Sequence, residues 1–243
     1  MDEAEFLAGY DAGQFERLSV AVDLVLMSVV DGSLAVLLLQ RDDHPFRGRW
    51  ALPGGFVGAA EGVDEAARRV LAGKARMDGA YIEQLYTFGA VDRDPRTRIV
   101  SIAHFALLPA ERFAAALAAA PELRLAKLDI SWPGEAGGAV AARDGGGELL
   151  PLAFDHDEIL GTAVKRLRGK LDYTPVGFQL LPAEFTLRAL QDVHEAVRGE
   201  AVNKDSFRRR MLASGFLEAT GAHERDASHR PAELYRFVRR SAV

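Results

Sequence analysis

The 243-residue chain contains no cysteine. That excludes a disulfide framework, a thiolate metal site and a cysteine nucleophile, and it fits a reducing compartment. Long apolar runs are also missing. The longest, Leu18 to Val30, is interrupted by Asp23, and a bilayer span needs about 20 apolar residues. The start, Met1-Asp2-Glu3-Ala4-Glu5, is acidic, where a secretory signal needs a basic stretch. We therefore expect a cytoplasmic protein with no membrane partner. Neither His-Glu-x-x-His nor Gly-x-Ser-x-Gly occurs. His194-Glu195 comes nearest to the first, but Arg198 stands where the second histidine would be. Asp155-His156-Asp157 has a metal-like look, yet Asp155 as N-cap with Glu158 three residues on reads more simply as a capping box.

What is present is an ordinary globular mix, 49% hydrophobic and 27% charged, long enough for one large domain or two small ones. The net charge of −5 hides an asymmetry. From Val176 onward there are 11 lysines and arginines against 9 aspartates and glutamates, a balance of +2 that leaves −7 for the rest. A mildly basic tail on an acidic body points to two modules with different partners.

The first part reads as strands. Leu18–Val30 and Leu34–Leu39 flank Asp31-Gly32, a preferred hairpin pair. A helix is expected from Val63, strands at Tyr81–Phe88 and Arg98–Leu108, and an alanine-rich helix at Glu111–Ala120. Gly134 to Gly147 holds six glycines and little that can pack, and reads as a flexible surface loop. The helix after Asp155 is stopped by Thr174-Pro175. There we place a boundary, giving domains at 1–175 and 176–243. Beyond it, Thr186 can cap a helix with apolar positions Leu187, Leu190, Val193 and Val197 that ends at Gly199. Asn203 can cap a second helix to Ala213. Strand-like runs Phe216–Thr220 and Glu233–Val238 follow. Helix, turn, helix, hairpin is the plan of a winged helix-turn-helix.

Gly55 is followed six residues later by Glu61 and eight residues after that by Arg69. With Leu52-Pro53-Gly54 in front, this resembles the first half of the Nudix box, Gly-x5-Glu-x7-Arg-Glu-U-x-Glu-Glu-x-Gly-U, where U is aliphatic. The second half departs from it. The three glutamates that hold divalent metal in that family correspond to Val70, Gly73 and Lys74, and the last glycine to Arg76. Valine and glycine offer no ligand, and lysine puts a positive charge where a cation would sit. The expectation is a fold kept to bind, with no catalytic residue, no metal and no diphosphate hydrolysis.

A nucleoside diphosphate needs cations for phosphate and aromatic faces for the base. Arg41, Arg49, Phe56, Arg68, Arg69, Arg93 and Arg96 are the candidates around the box and the Asp92–Arg96 loop. Any one arginine alone reads better as a solvated surface side chain, and Arg93 and Arg96 around Asp94 read equally well as a loop-ordering ion-pair network. The cluster is more informative than its members. In the tail, Phe207, Met211 and Leu212 share one face of the second helix. Ser206, Arg209 and Arg210 lie on the other, with Arg208 on the flank. Such a face suits a major groove. Ser206, Arg208, Arg209 and Arg210 are candidates at the bases or beside them. Thr186, Lys204 and Arg230 are candidates for phosphate contacts, which fix register but not sequence.

Phe207-Arg-Arg-Arg-Met-Leu-Ala-Ser-Gly215, Leu217-Glu-Ala-Thr-Gly221 and Arg230-Pro-Ala-Glu-Leu-Tyr-Arg-Phe237 closely resemble the winged-helix tail of the Nudix-related transcriptional regulators, the NrtR family. Leu152-Ala-Phe-Asp-His156 and Leu180–Leu187 fit the same family. The resemblance runs from about Leu18 to Phe237. It implies an α/β Nudix-like sandwich, a mixed sheet between helices, followed by a C-terminal winged helix-turn-helix. It also implies a nucleoid-associated repressor of NAD biosynthesis or salvage genes that binds operator DNA as a homodimer. Its effector would be ADP-ribose or a related nucleotide, with no cofactor. Control of pentose catabolism genes and residual ADP-ribose hydrolysis are the alternatives.

Overall fold

The computed structural model describes residues 2–171, 174–224 and 231–238. A short helix α1 (Glu3–Gly9), closed by an Asp2–Glu5 capping box, precedes the sheet and buries none of its residues. Strands β1 (Ser19–Val30) and β2 (Ser33–Gln40) form the hairpin expected at Asp31-Gly32. Val30 pairs with Ser33, and the two turn residues take φ values of 47° and 71°. Left-handed backbone at both positions matches the twist of the strands, which is why this residue pair serves. Beyond the hairpin come β3 (Trp50–Ala51), β4 (Gly54–Phe56), β5 (Glu83–Phe88), β6 (Ile99–Leu107), β7 (Leu123–Asp129), β8 (Ala141–Arg143) and β9 (Leu149–Leu150). They complete a nine-stranded mixed sheet in the order β5-β6-β1-β2-β7-β8-β9, with β3 on β2 and β4 on β1. β1 runs parallel to β6 and antiparallel to β2.

Side chains of β1 alternate between two cores. Val22, Leu24 and Leu26 face α2 (Val63–Gly73) and α3 (Glu111–Ala119). Val25 and Met27 belong to the cluster that holds α4 (His156–Lys170) and α5 (Leu187–Arg198). Burial on both faces explains why the β1 sequence is almost continuously apolar.

The tail folds as the capping residues dictate. Thr186 Oγ1 accepts the Ala189 N–H at 3.1 Å to start α5, and Gly199 ends it at φ 75°. Leu187, Leu190, Val193 and Val197 are all buried. Asn203 accepts the Ser206 N–H at 3.0 Å to start α6 (Lys204–Ala213). A three-stranded sheet orders β10 (Phe185–Thr186), β12 (Glu233–Phe237) and β11 (Leu217–His223), with β12 in the middle. Phe178, from the 3-10 turn Pro175–Leu180, stacks on Phe237 at 4.7 Å between ring centres. Among the described residues no helix is long and apolar enough to cross a membrane.

Three sequence expectations change. The glycine-rich stretch 134–147 is not a loop with nothing to pack: Val140 and Ala142 are buried, and β8 pairs with both β7 and β9. Asp155 precedes α4 but makes no side-chain cap, because its carboxylate is held by Arg93. Leu212 is 45% exposed, so the apolar face of α6 narrows to Phe207 and the half-buried Met211.

Helix α4 crosses the glycine-rich stretch at Gly161. A Cβ there would lie well inside the van der Waals radius of the Gly138 carbonyl oxygen. Glycine to alanine inside a helix ordinarily stabilises by about 1 kcal/mol. Here Gly161→Ala is expected to destabilise by roughly 1–3 kcal/mol through overpacking. Urea unfolding checks the sign, and a more stable variant contradicts the packing.

Candidate functional site

Between the Gly54-Gly55 strand, the end of α2 and the 89–98 loop lies a cavity of about 830 Å³. That is the size range of small-ligand sites. The sequence candidates separate around it. Arg41, Phe56, Arg93 and Arg96 line the cavity, whereas Arg49, Arg68 and Arg69 do not. Arg49 turns away to the Leu152 carbonyl and the Phe46 ring, against a second, smaller hollow. Arg68 is exposed on α2. Arg69 is occupied: it donates to Glu61 and to the Phe56 carbonyl, and Glu61 also accepts the Gly58 N–H at 2.7 Å. The Arg69 hydrogen bond, with that N–H, holds the Glu61 carboxyl down at about 2. The surviving glutamate and arginine of the box thus clamp the loop between them.

Sequence reasoning missed Phe154, Lys74 and Arg76, all of which line the cavity. Phe154 takes a left-handed φ of 55°, a strained setting for a bulky side chain. Its ring lies 4.8 Å from the Arg41 guanidinium and 5.8 Å from that of Arg96, and Arg96 also sits 5.3 Å from the Phe56 ring. Two aromatic faces and two guanidiniums therefore converge on one side. The only sequence signal for Phe154 lay in the Leu152–His156 resemblance.

A buried polar group forms the floor. Arg93 makes a two-pronged contact with Asp155 at 2.7 and 2.8 Å and lies 3.6 Å from Asp23. Burial works against its charge, but the Asp155 hydrogen bonds and the neighbouring Asp23 and Asp94 outweigh that and raise its pKa. Ser101 donates to Asp23. His156 Nδ1 accepts the Leu52 N–H at 2.9 Å, which leaves the proton on Nε2, 3.7 Å from Asp23. Asp94 binds the Arg96 side chain and backbone N–H. The loop-network reading of Arg93 and Arg96 thus describes their partners, while Arg96 still reaches the cavity.

The residues do not fit a divalent metal. Val70 is buried under Gly55, Gly73 offers no ligand, and the Lys74 ammonium donates to the Gly54 carbonyl. No group of three or more His, Asp or Glu among the described residues is arranged to hold an ion.

At the other end, Lys204, Ser206, Arg208, Arg209 and Arg210 are all exposed on α6. Thr186 is buried and its hydroxyl is used as the α5 cap. Arg230 lies outside the described residues. The two ends are joined by α4. Its first residues belong to the cavity floor. Near its last turn Arg168 donates to the Val197 carbonyl of α5 at 2.8 Å and to the Trp132 and Gly134 carbonyls at 3.0 and 2.9 Å. The larger apolar cluster follows the same route from the sheet to Phe207 and Tyr235, across residue 175.

Burial lowers the pKa of both His156 and His104 from the ordinary 6.5. Below 6.5 the unfolded chain takes up protons that these folded sites refuse. Stability is therefore full above pH 6.5 and falls as pH drops, at up to about 1.4 kcal/mol per pH unit for each histidine. Urea unfolding between pH 6.5 and 5 should show a shallower fall for His156→Gln, whose amide oxygen can still accept the Leu52 N–H. An unchanged slope contradicts the assignment.

Comparison with known proteins agrees with this two-part geometry. Residues 177–237 match the NrtR DNA-binding winged helix domain and residues 17–127 the NUDIX domain. An Acinetobacter baylyi protein named ADPR responsive transcriptional repressor NtrR is 35% identical over 97% of this chain and 88% of its own. Shewanella oneidensis NrtR, crystallised with a 27mer DNA, is 35% identical with a TM-score of 0.73, over 90% of this chain and 93% of its own. The NUDIX domain of Shewanella NrtR in a cocrystal with ADP ribose is 32% identical, with a TM-score of 0.50 over 69% of this chain and 99% of its own. A relative this similar along almost the whole length, with both domains matched in order, shows that the chain belongs to the NrtR family, a Nudix domain followed by a winged helix.

Proposed function

We propose that the protein is an ADP-ribose-responsive transcriptional repressor of NAD biosynthesis or salvage genes, working in the cytoplasm at the nucleoid. The single observation that carries this reading is the pairing of a cation-and-aromatic cavity at one end of α4 with an exposed basic helix, α6, packed on the α5 that the other end touches. The Acinetobacter and Shewanella relatives supply the effector and the DNA by their names. We take the sensing domain as 1–175 and the DNA-binding domain as 176–243.

In this reading α6 enters the major groove, with Ser206, Arg209 and Arg210 toward the bases and Arg208 and Lys204 toward the backbone. One such helix reads few base pairs, so a homodimer on two half-sites supplies the specificity. The exposed Phe6, Leu7, Tyr10 and Phe15 at the N-terminus are apolar surface that a second copy can cover. The Nudix domain binds without hydrolysing, since the metal-holding positions of the box are Val70, Gly73 and Lys74.

The ligand acts by linkage. Arg96, Arg41 and Phe154 close on it, and the Arg93–Asp155 pair passes the adjustment to the start of α4. At 1.5 Å per residue this helix carries it about 18 Å to Arg168 and the last turn of α5. A coupling of roughly 1–3 kcal/mol shifts operator affinity 5- to 150-fold.

Fluorescence anisotropy on the upstream DNA, at fixed salt and with or without ADP-ribose, tests this. Tight, salt-dependent binding that ADP-ribose alters is expected. Replacing Arg208, Arg209 and Arg210 together by alanine should abolish operator preference and flatten the salt dependence, by about 0.9 in log–log slope for each phosphate that is no longer neutralised. Operator binding with an unchanged slope removes α6 from the interface.

A further inference from the structure

The positions at which the box loses its carboxylates and its last glycine are occupied in a way that loss alone does not explain. Lys74 follows the last residue of α2, and Arg76 stands two residues further on. Both side chains line the 830 Å³ cavity beside Gly54 and Gly55. Arg76 keeps a left-handed backbone, φ 55°, although only glycine adopts it without cost. A strained, charged residue in a cavity wall is a pointer to function rather than to stability.

Five cations line the cavity, with the carboxylates of Asp23, Asp42, Asp43, Asp94 and Glu122, and the cations differ in how they are paired. Arg93 is bound by Asp155 and Arg96 by Asp94. Among the described residues, Arg41, Lys74 and Arg76 line the cavity with no carboxylate ion pair. Arg41 is directed to the Pro45 and Asp43 carbonyls and Lys74 to that of Gly54, while the Arg76 side chain has no hydrogen-bond partner among the described residues. Desolvation, with Arg41 nearby, lowers the Lys74 pKa against the opposing pull of Asp23, and both Lys74 and Arg76 stay open to solvent.

We infer that Lys74 and Arg76 are a built-in cationic pair that binds the diphosphate of a nucleotide ligand and replaces the divalent cation, so that recognition needs no metal. This rests on the effector reading above but extends it to the charge of the ligand. A diphosphate diester carries two negative charges, and two fixed cations match it. Neither cation activates water, so the same replacement that holds the ligand leaves it uncut. A plain helix-end role is the competing explanation, because cations are favourable near a helix C-terminus. That role predicts an effect on stability and none on affinity.

The test is titration calorimetry of the full-length chain with ADP-ribose and, separately, with inorganic diphosphate, each in EDTA and in magnesium, alongside thermal melting. Wild-type affinity for ADP-ribose should agree within about twofold with and without magnesium. Lys74→Gln and Arg76→Gly should each weaken binding tenfold or more in EDTA. Arg76→Gly should melt no lower than wild type, because glycine relieves the backbone. Wild-type binding of ADP-ribose that disappears in EDTA overturns the inference and leaves the effector reading standing. Variants that bind as tightly as wild type do the same. Metal-independent binding of diphosphate but not ADP-ribose, lost in both variants, upholds the cationic pair and removes ADP-ribose as effector. Binding of neither probe overturns both.

Discussion

The buried guanidinium of Arg93 is the contact on which the rest of the site depends. It belongs to a loop, yet it joins Asp155 at the start of α4 to Asp23 in the central strand β1. A charge buried this far is costly unless paired and hydrogen-bonded. Its two-pronged bond to Asp155 supplies that pairing and excludes any loosely held arrangement of the loop. Everything on the cavity's far wall follows from it. Asp94 and Arg96 are placed by the same loop, His156 is held between Leu52 and Asp23, and Phe154 takes its left-handed setting just before α4. Removing one partner from such a cluster costs about 3–5 kcal/mol, so the cavity and the start of α4 are a single cooperative unit.

That unit is mechanically connected to the tail. Helix α4 lies under the sheet with Ile159, Leu160, Ala163, Val164 and Leu167 fully buried, and it abuts the 134–138 segment through Gly161. A helix packed this closely moves as a body rather than bending locally. Its far end is fixed by three carbonyls at Arg168, one of them in the last turn of α5. The start of α4 and the last turn of α5 are therefore joined by one packed helix and the Arg168–Val197 contact. This rigid connection is what a linkage mechanism requires, since a ligand shifts an equilibrium only through contacts that differ between two states.

Much of this was legible because the relevant chemistry is local. Asp31-Gly32 determines its own turn, Thr186 and Asn203 cap the helices that follow them, and the period of Leu187, Leu190, Val193 and Val197 states which face is buried. What was not legible depends on distant partners. Asp155 has the sequence setting of an N-cap, but Arg93, 62 residues away, takes its carboxylate. Val140 and Ala142 sit among glycines, and only the register against β7 reveals that they are core. The arginines near the box look alike in sequence. Their directions are decided by tertiary neighbours, which bring Arg41 and Arg96 to the cavity, occupy Arg69 with Glu61 and leave Arg68 in solvent. Lys74 and Arg76 were visible only as departures from a pattern, and the structure turns those departures into parts of a cavity wall.

The central claim is that occupancy of the cavity is transmitted along α4 to the winged helix. Hydrogen–deuterium exchange of the full chain, with and without saturating ADP-ribose, measures this on the native sequence. Amides at 152–158 should slow on binding, and the change should continue along α4 into 194–199 of α5, with the glycine-rich segment at 132–138 affected alongside. Protection confined to the cavity wall, with α5 exchanging as before while operator affinity still responds to the ligand, would contradict it.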